Sequence, residues 1–504
     1  MTPDSAYAEL LSRSREATLI ASCANVLEWD QETYMPAGGV EHRGEQLGLL
    51  AGLAHERATD PRIAELLAAV EGSALVRDPD APESVNVREL RRGYDRETRL
   101  PRALVEEIAR TTPVAHQEWT ASRRASDFAR FRPWLEKIVA LKRQEAECVG
   151  YAASPYDALL DDYEQGATAA ETARLFDALR AELVPLVRAI AGAPRRGNAS
   201  ALRREIPVER QRAFGEVVAA ALGFDFACGR LDTSAHPFCT GIGPGDCRLT
   251  TRFDPHDFTD GLYSIVHEVG HGLYDQGLPP AHYGTPMGQA ADMGVHESQS
   301  RLWENRVGRS RAFWEHFLPV ARASFGGALD GVSLDALHEA VNVVAPSLIR
   351  VSADEVTYNL HVLIRFELER ALLSGSLSAA DVPGAWNEAY ARYLGVTPAD
   401  DAEGCLQDSH WSGGLFGYFP TYTVGNVCAA QLVAAAERDL GPVDELFRRG
   451  EFVPLLGWMR EHVHRHGRRD ASASALVRRL TGEPLDHRPL VDSLRRKYGE
   501  LYAL

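Results

Sequence analysis

The sequence predicts a mainly α-helical protein. Apolar residues recur at spacings of three and four over segments longer than strands usually run, and Ala, Leu, Glu and Arg dominate those segments. Runs rich in β-branched and aromatic residues are confined to one short region, around residues 237–253. No repeat of solenoid period and no low-complexity tract appears. The strongest breaks, AGAPRRGNAS near residue 195, GIGPGD near 243 and the stretch 276–294, do not have the composition of interdomain linkers. The expectation is therefore one large unit over residues 1–504.

In chain order, Thr168 and Glu171 have capping-box spacing at the head of a helix running to about Ile190, in which Pro185 should produce a kink or a split. A second helix is expected from Val208 to Leu222. FCTGI and DCRLTTRF flank the turn Gly243-Pro244-Gly245 and read as a hairpin, whose edge could hold an extended peptide by main-chain hydrogen bonds or simply cap the helical body. Cys239 and Cys247 face each other across it and are expected to be free thiols. A further helix is expected from about Asp354 to Ser374. HVHRHG, with His462, His464 and His466 among Arg460, Arg465 and Arg468, reads as a solvated basic helix end.

Composition narrows the partners. The chain carries 54 basic and 71 acidic residues, a formal charge of −17, which opposes nucleic acid and anionic membranes. Seven scattered cysteines argue against a disulfide framework, and MTPDSAYAELLSRSREATLIAS lacks the basic head and apolar block of a secretory signal. No run approaches the ~18 apolar residues of a membrane span. The expectation is a cytoplasmic protein, in which the sequon at Asn198 has no role.

The chemistry concentrates in DFTDGLYSIVHEVGHGLYDQG. Asp257 and Asp260 have N-terminal capping spacing, Leu262, Ile265, Val266, Val269 and Leu273 form one stripe, and Gly277 is placed as a terminator, so the segment is a helix. His267 and His271, four apart, project from one face, close enough to share a cation, with Glu268 beside them. Zinc suits neutral imidazoles and an open position for water, which Glu268 could deprotonate; cobalt or manganese would fit the same ligands. Two surface histidines on an amphipathic helix are the plain alternative, but so apolar a helix would bury them at a cost. A third histidine six residues on, which would mark a metzincin, is absent: Gly277 stands there. Asp275 lies about 12 Å along the axis from His267, too far to share its metal, and is expected to accept from His271. The remaining third ligands are Glu297 and Glu304 in VHESQSRLWENRV, of which Glu297 is preferred.

These residues belong to a wider pattern: HPF at 236–238, DCRLT at 246–250, HEVGH at 267–271, HESQ at 296–299, IRVSAD at 349–354 and GCLQDSHW at 404–411, with LEWDQETYMPAGG upstream and GYFPTYTVGN from Gly417. In this order they resemble the carboxypeptidase Taq family of metallocarboxypeptidases, from about residue 5 to the end. The resemblance implies a saddle-shaped helical fold with a deep groove, usually homodimeric, that removes C-terminal amino acids from peptides with broad tolerance. A helical N-terminal part to about residue 230 would form a groove wall, with a catalytic core over about 231–430 and a helical C-terminal part over about 431–504. The resemblance also carries His267 and His271 as ligands, Glu297 as the third and Glu268 as general base. A receptor for the terminal carboxylate is then required, and Arg350 or Arg248 could supply the guanidinium fork unless structural carboxylates such as Asp354 or Asp246 occupy them. His410 with Tyr418 or Tyr422 could stabilise the oxyanion, and His236 could orient substrate. Gln407 and Asp408 read as supporting groups. Two other readings stay open: an aminopeptidase or oligopeptidase on a similar helix, although no GxMEN-like segment occurs between residues 200 and 266, and an inactive helical binding protein.

Overall fold

The computed structural model describes all of residues 1–504, in twenty α-helices and one three-stranded sheet. The chain forms two compact units, each assembled from three separated stretches. The first comprises Met1–Thr98, Asn198–Val341 and Leu432–Pro484; the second comprises Arg99–Gly197, Asn342–Gln431 and Leu485–Leu504. No helix is long and apolar enough to cross a membrane.

The first unit holds the sheet, with β1 (Gly229–Thr233), β2 (Cys239–Gly243) and β3 (Asp246–Thr251). The predicted hairpin is the antiparallel β2–β3 pair. Strand β1, parallel to β3, was not expected: GRLDT is short and polar, without the alternation that marks a half-buried strand. Its buried Asp232 is satisfied by Arg230 and the Tyr34 hydroxyl. The outer carbonyls of β2 are not left for a peptide. Ser22 Oγ donates to Ile242 O at 2.6 Å and Asn25 Nδ2 to Gly241 O at 3.3 Å, both from the Pro3–Thr33 helix.

The Phe258–Asp275 helix lies on this sheet with Leu262, Ile265, Val266, Val269 and Leu273 buried, as the stripe predicts. A Cβ on Gly272 would come within 3.0 Å of Leu249 Cδ2 and 2.8 Å of the Phe224 ring, so glycine allows helix and sheet to close. Capping differs from expectation. Asp257 accepts from Thr259 N and its hydroxyl, whereas Asp260 pairs with Arg252. Gly277 directly follows the Gln276 cap that ends the helix, without taking the left-handed conformation, and a side chain there would collide with His464. His464 is itself fully buried, with Nε2 3.0 Å from Gln299 Oε1 and its ring on Tyr274, which corrects the reading of HVHRHG as wholly solvated. The Arg-rich surroundings concealed one inward-facing imidazole among three.

The second unit packs its core between the Phe128–Val149, Ala169–Gly192, Tyr358–Ser374 and Val382–Tyr393 helices, with Phe131, Leu183, Ile364, Trp386 and Tyr390 among its buried residues. Thr168 caps the second of these by accepting from Glu171 N at 3.2 Å, and the helix runs unbroken through Pro185. The Val208–Leu222 helix of the first unit has the predicted bounds, ending at Gly223 in the left-handed conformation. The helix expected from Asp354 begins at Tyr358, because Asp354 accepts from Val356 N and Thr357 N and holds one turn ahead of it.

From the Tyr358–Ser374 helix, Glu369 is fully buried without a cation on its oxygens. It accepts from Trp411 Nε1 at 2.9 Å, Tyr156 Oη at 2.8 Å and Gly417 N at 3.1 Å. Gly417 is held at φ +90°, where a Cβ would meet the Leu159 carbonyl at 2.7 Å. Burial lifts Glu369 to about 7 despite these three donors. Glu369→Gln turns an amide NH2 toward a donor and should lower the unfolding free energy by about 1–3 kcal/mol near pH 5. Because a raised carboxyl pKa means the folded state binds more protons between about 4.5 and 7, wild type loses stability as pH rises through that window. The gap to the variant should therefore narrow, as read from thermal midpoints across the pH series.

Candidate metal centre

His267 and His271 face the Met293–Arg301 helix, and the approach of the two helices depends on Gly270. A Cβ at Gly270 would lie 2.5 Å from Ser300 Cα and 2.6 Å from Gln299 O, so only glycine lets the backbones meet. Asp292 caps the second helix by accepting from Val295 N and also accepts from Ala473 N, which fixes its start. Glu297 then points between the two imidazoles.

Glu297 Oε2 lies 3.7 Å from His267 Nε2 and 3.5 Å from His271 Nε2. Those separations are long for hydrogen bonds but close to the ~3.4 Å edge of a tetrahedron with metal–ligand distances of about 2.1 Å. The three donor atoms lie within 4.8 Å of one another. Two imidazoles and a carboxylate, converging while the acidic oxygen stays out of good hydrogen-bonding range of either ring, fit a shared divalent cation. Arg301 Nε and Ser300 Oγ hold the Glu297 oxygens at 2.7 and 3.0 Å.

Glu304, weighed from sequence as a ligand, takes another position. It sits on a π-helical turn, Leu302–Gly308, and its Oε2 is 2.9 Å from His267 Nδ1. That contact makes Nδ1 the protonated nitrogen and turns Nε2 toward Glu297. Arg301 and Arg309 pair with Glu304 in turn. Asp275 does not accept from His271. It faces His296 Nε2 at 3.4 Å, and the His296 ring stacks on His271 at 4.5 Å between centroids. At the end of its helix, Asp275 is nearer the incoming 293–301 segment than the ring one turn back.

Environment separates the acids. Burial pushes Glu268 up to about 7; it is 7 % exposed, and no side chain hydrogen-bonds its carboxylate. Glu297 and Glu304 are as desolvated, yet Arg301 and the histidines hold both well below the usual carboxylate range. Burial, helped by His296, pushes His271 down to about 4. Burial likewise disfavours the charged form of His267, but Glu297 and the Glu304 contact outweigh it and raise the group.

In the second unit the structure brings Arg350, His410, Tyr418 and Tyr422 together. Arg350 donates through Nε and Nη2 to Asp408 Oδ1 at 3.0 and 2.8 Å and through Nη1 to Tyr358 Oη, and stands 4.9 Å from the Tyr422 ring centroid. Its carboxylate partner is Asp408 rather than Asp354. Arg365, which sequence reasoning passed over inside an apolar helix, binds the other oxygen of Asp408 at 2.8 Å and Gln407 Oε1 at 2.7 Å. His410 stacks on Phe419 at 4.3 Å, with Nε2 3.2 Å from Tyr422 Oη and Nδ1 buried without a partner. Burial, against the opposing field of Asp408, pushes His410 down to about 3, so the ring is neutral. Tyr418 packs edge-on against Tyr163 and lies 5.5 Å from the His410 ring. In the first unit, Arg248 donates through Nε and Nη2, one edge of its guanidinium, to Asp246 Oδ1 and Oδ2 at 2.9 and 2.8 Å over the Trp29 ring. His236 is exposed in the β1–β2 loop, its carbonyl accepting from Ser234 Oγ.

Residues 9–498 match the family described as carboxypeptidase Taq (M32) metallopeptidase. The chain is 49% identical to thermostable carboxypeptidase 1 of Thermus thermophilus over all of both chains, and 38% identical to carboxypeptidase 1 of Bacillus subtilis over 95% of each. Its fold matches the crystal structure of an M32 carboxypeptidase from Deinococcus radiodurans with a TM-score of 0.96 and 43% identity, covering 99% of this chain and 100% of that one.

Gly270→Ala should force the two helices apart. The expected outcome is loss of stoichiometric metal after dialysis, read by elemental analysis, together with a lower thermal midpoint; full metal retention would contradict the packing argument. Glu304→Gln should keep the fold but weaken metal binding roughly 10–100-fold in a chelator competition, because the imidazole loses its anionic partner.

Proposed function

Since the chain belongs to the carboxypeptidase Taq (M32) metallopeptidases, and is thus a metallocarboxypeptidase, we propose that His267, His271 and Glu297 hold its metal and that Glu268 is the general base. The observation that carries this reading is the pairing of a buried, unpartnered Glu268, lifted to about 7, with two adjacent imidazoles whose Nε2 atoms share one Glu297 oxygen. A divalent cation there, zinc by the preference of imidazole and carboxylate donors and cobalt or manganese as substitutes, would polarise the scissile carbonyl and acidify water. Glu268, buried and without a hydrogen-bonding side chain, would accept the proton of the attacking water and return it to the leaving amine. Glu304 keeps His267 in the tautomer that presents Nε2.

Arg350 is proposed as the receptor for the free C-terminus. Support comes from charge: Arg350 and Arg365 share the single carboxylate of Asp408, which leaves one positive charge uncompensated. Arg248, whose single charge is balanced by Asp246, ranks below it. Neutral His410 and the Tyr422 hydroxyl are proposed donors to the oxyanion, with Tyr418 behind them, and His236 as an orienting group. The family match across residues 9–498 supports treating the 504 residues as one catalytic domain. A homodimer, a cytoplasmic location, broad tolerance of the terminal residue, and the absence of nucleic-acid or membrane partners complete the proposal.

Two measurements test it. Mass spectrometry of a mixed peptide pool with added zinc should show stepwise C-terminal shortening, and C-amidated versions of the same peptides should resist; rapid cleavage of the amides would remove the carboxylate anchor. Glu268→Gln should retain its metal and lose about 10²–10⁴-fold in kcat, the usual share of a general base. Wild-type turnover by that variant would assign the base elsewhere.

A further inference from the structure

Behind the catalytic helix, on the sheet side, lies a second convergence of metal-ligating side chains. Cys239 from β2, Cys247 from β3 and Asp275 from the last turn of the Phe258–Asp275 helix offer two sulfurs and one carboxylate oxygen, all within 4.8 Å of one another. Cys239 Sγ is 3.7 Å from Cys247 Sγ and 4.0 Å from Asp275 Oδ2. We propose that these three residues form a second, thiolate-bearing site for a zinc-like cation, distinct from the His267, His271 and Glu297 centre.

The distances carry the argument. Zinc–sulfur bonds of about 2.3 Å set a sulfur–sulfur edge of about 3.75 Å in a tetrahedron, which matches the observed 3.7 Å. A disulfide needs about 2.05 Å between sulfurs. The register is also wrong for a direct cross-strand bridge, because Cys239 pairs with Leu249 and Cys247 with Gly241. Both sulfurs nevertheless lie on the sheet face that meets Asp275. Gly241 makes room for that carboxylate: a Cβ there would stand 2.9 Å from Asp275 Oδ2.

A cation bound there would draw the two thiols into the thiolate form, their protons passing to solvent. Asp275 keeps 18% of its side chain exposed, which leaves a fourth position for water. The bound ion would tie β2, β3 and the end of the catalytic helix together. Through the other Asp275 oxygen, 3.4 Å from His296 Nε2, it would also hold His296 flat on His271. The role is structural, since the three donors join two strands to the end of a helix.

The test uses cobalt(II) on the metal-stripped full-length protein. The second site should give a sulfur-to-cobalt charge-transfer band in the near ultraviolet, which a site of imidazoles and a carboxylate cannot produce, and elemental analysis should find two cations per chain. Cys239→Ser and Cys247→Ala, each checked for folding by circular dichroism, should lose the band and one cation while retaining peptidase activity. His271→Ala should lose activity and the other cation but keep the band, which separates failure of this site from failure of the catalytic assignment. Zinc should also protect the two cysteines of the wild type from alkylation, a readout that needs no variant. One cation per chain at saturating metal, no charge-transfer band, or a Cys239–Cys247 disulfide found in the protein isolated without oxidant would overturn the proposal.

Discussion

The close approach of two backbones at Gly270 is the constraint on which the proposed metal centre depends. A helix can present His267 and His271 from its own pitch, but the third donor must come from elsewhere and must arrive within a few tenths of an ångström. That precision comes from backbone-to-backbone contact, since the peptide groups of Gln299 and Ser300 are stiffer than any side chain. The glycine inside HEVGH is therefore part of the ligand geometry although it binds nothing. Gly272, two residues on, makes room on the other side for the Leu249 and Phe224 side chains, a softer contact than the backbone one at Gly270.

Once the helices are locked, burial alone would raise all three glutamates, and what separates them is the company each keeps. Arg301 is shared between Glu297 and Glu304, and Arg309 adds to the second, so both remain anions in a desolvated site. Glu268 has no such partner. It is the one carboxylate of the three without a guanidinium, so arginine placement, not residue type, would divide the proposed ligand, orienter and base.

The helical class, the hairpin and the 258–275 helix with its buried stripe were all legible, because each rests on spacing along one element or between neighbours. What was illegible depended on contact between distant segments. Strand β1 hides in a polar pentapeptide whose pairing is supplied by β3. His464 looks solvated beside its arginines, and its burial is decided by the glycine at 277 and by Gln299. Arg365 reads as a stray charge in an apolar helix until Asp408 is seen to face it. The π-helical turn that redirects Glu304 toward His267 Nδ1 has no signature in LWENRVG. Each of these depends on a partner on another element, which local periodicity does not record.

The two buried carboxylates of the second unit show how the same fold sets opposite electrostatic states a short distance apart. Glu369 and Arg365 lie one turn apart on the Tyr358–Ser374 helix, but Glu369 turns to three neutral donors while Arg365 turns to Asp408. Neutral donors leave Glu369 near 7; two guanidiniums hold Asp408 well below the usual carboxylate range. A lone Arg350–Asp408 pair would be electrically closed and could offer a peptide's carboxylate little. Adding Arg365 to the far oxygen of Asp408 changes that: the aspartate is fully engaged as a positioning strut, and Arg350 keeps a net positive field in a medium of low dielectric, where a small excess of charge acts strongly. On the proposal that Arg350 receives the substrate's C-terminus, this buried excess of one guanidinium is what a terminal carboxylate, the group common to all substrates of a carboxypeptidase, would meet.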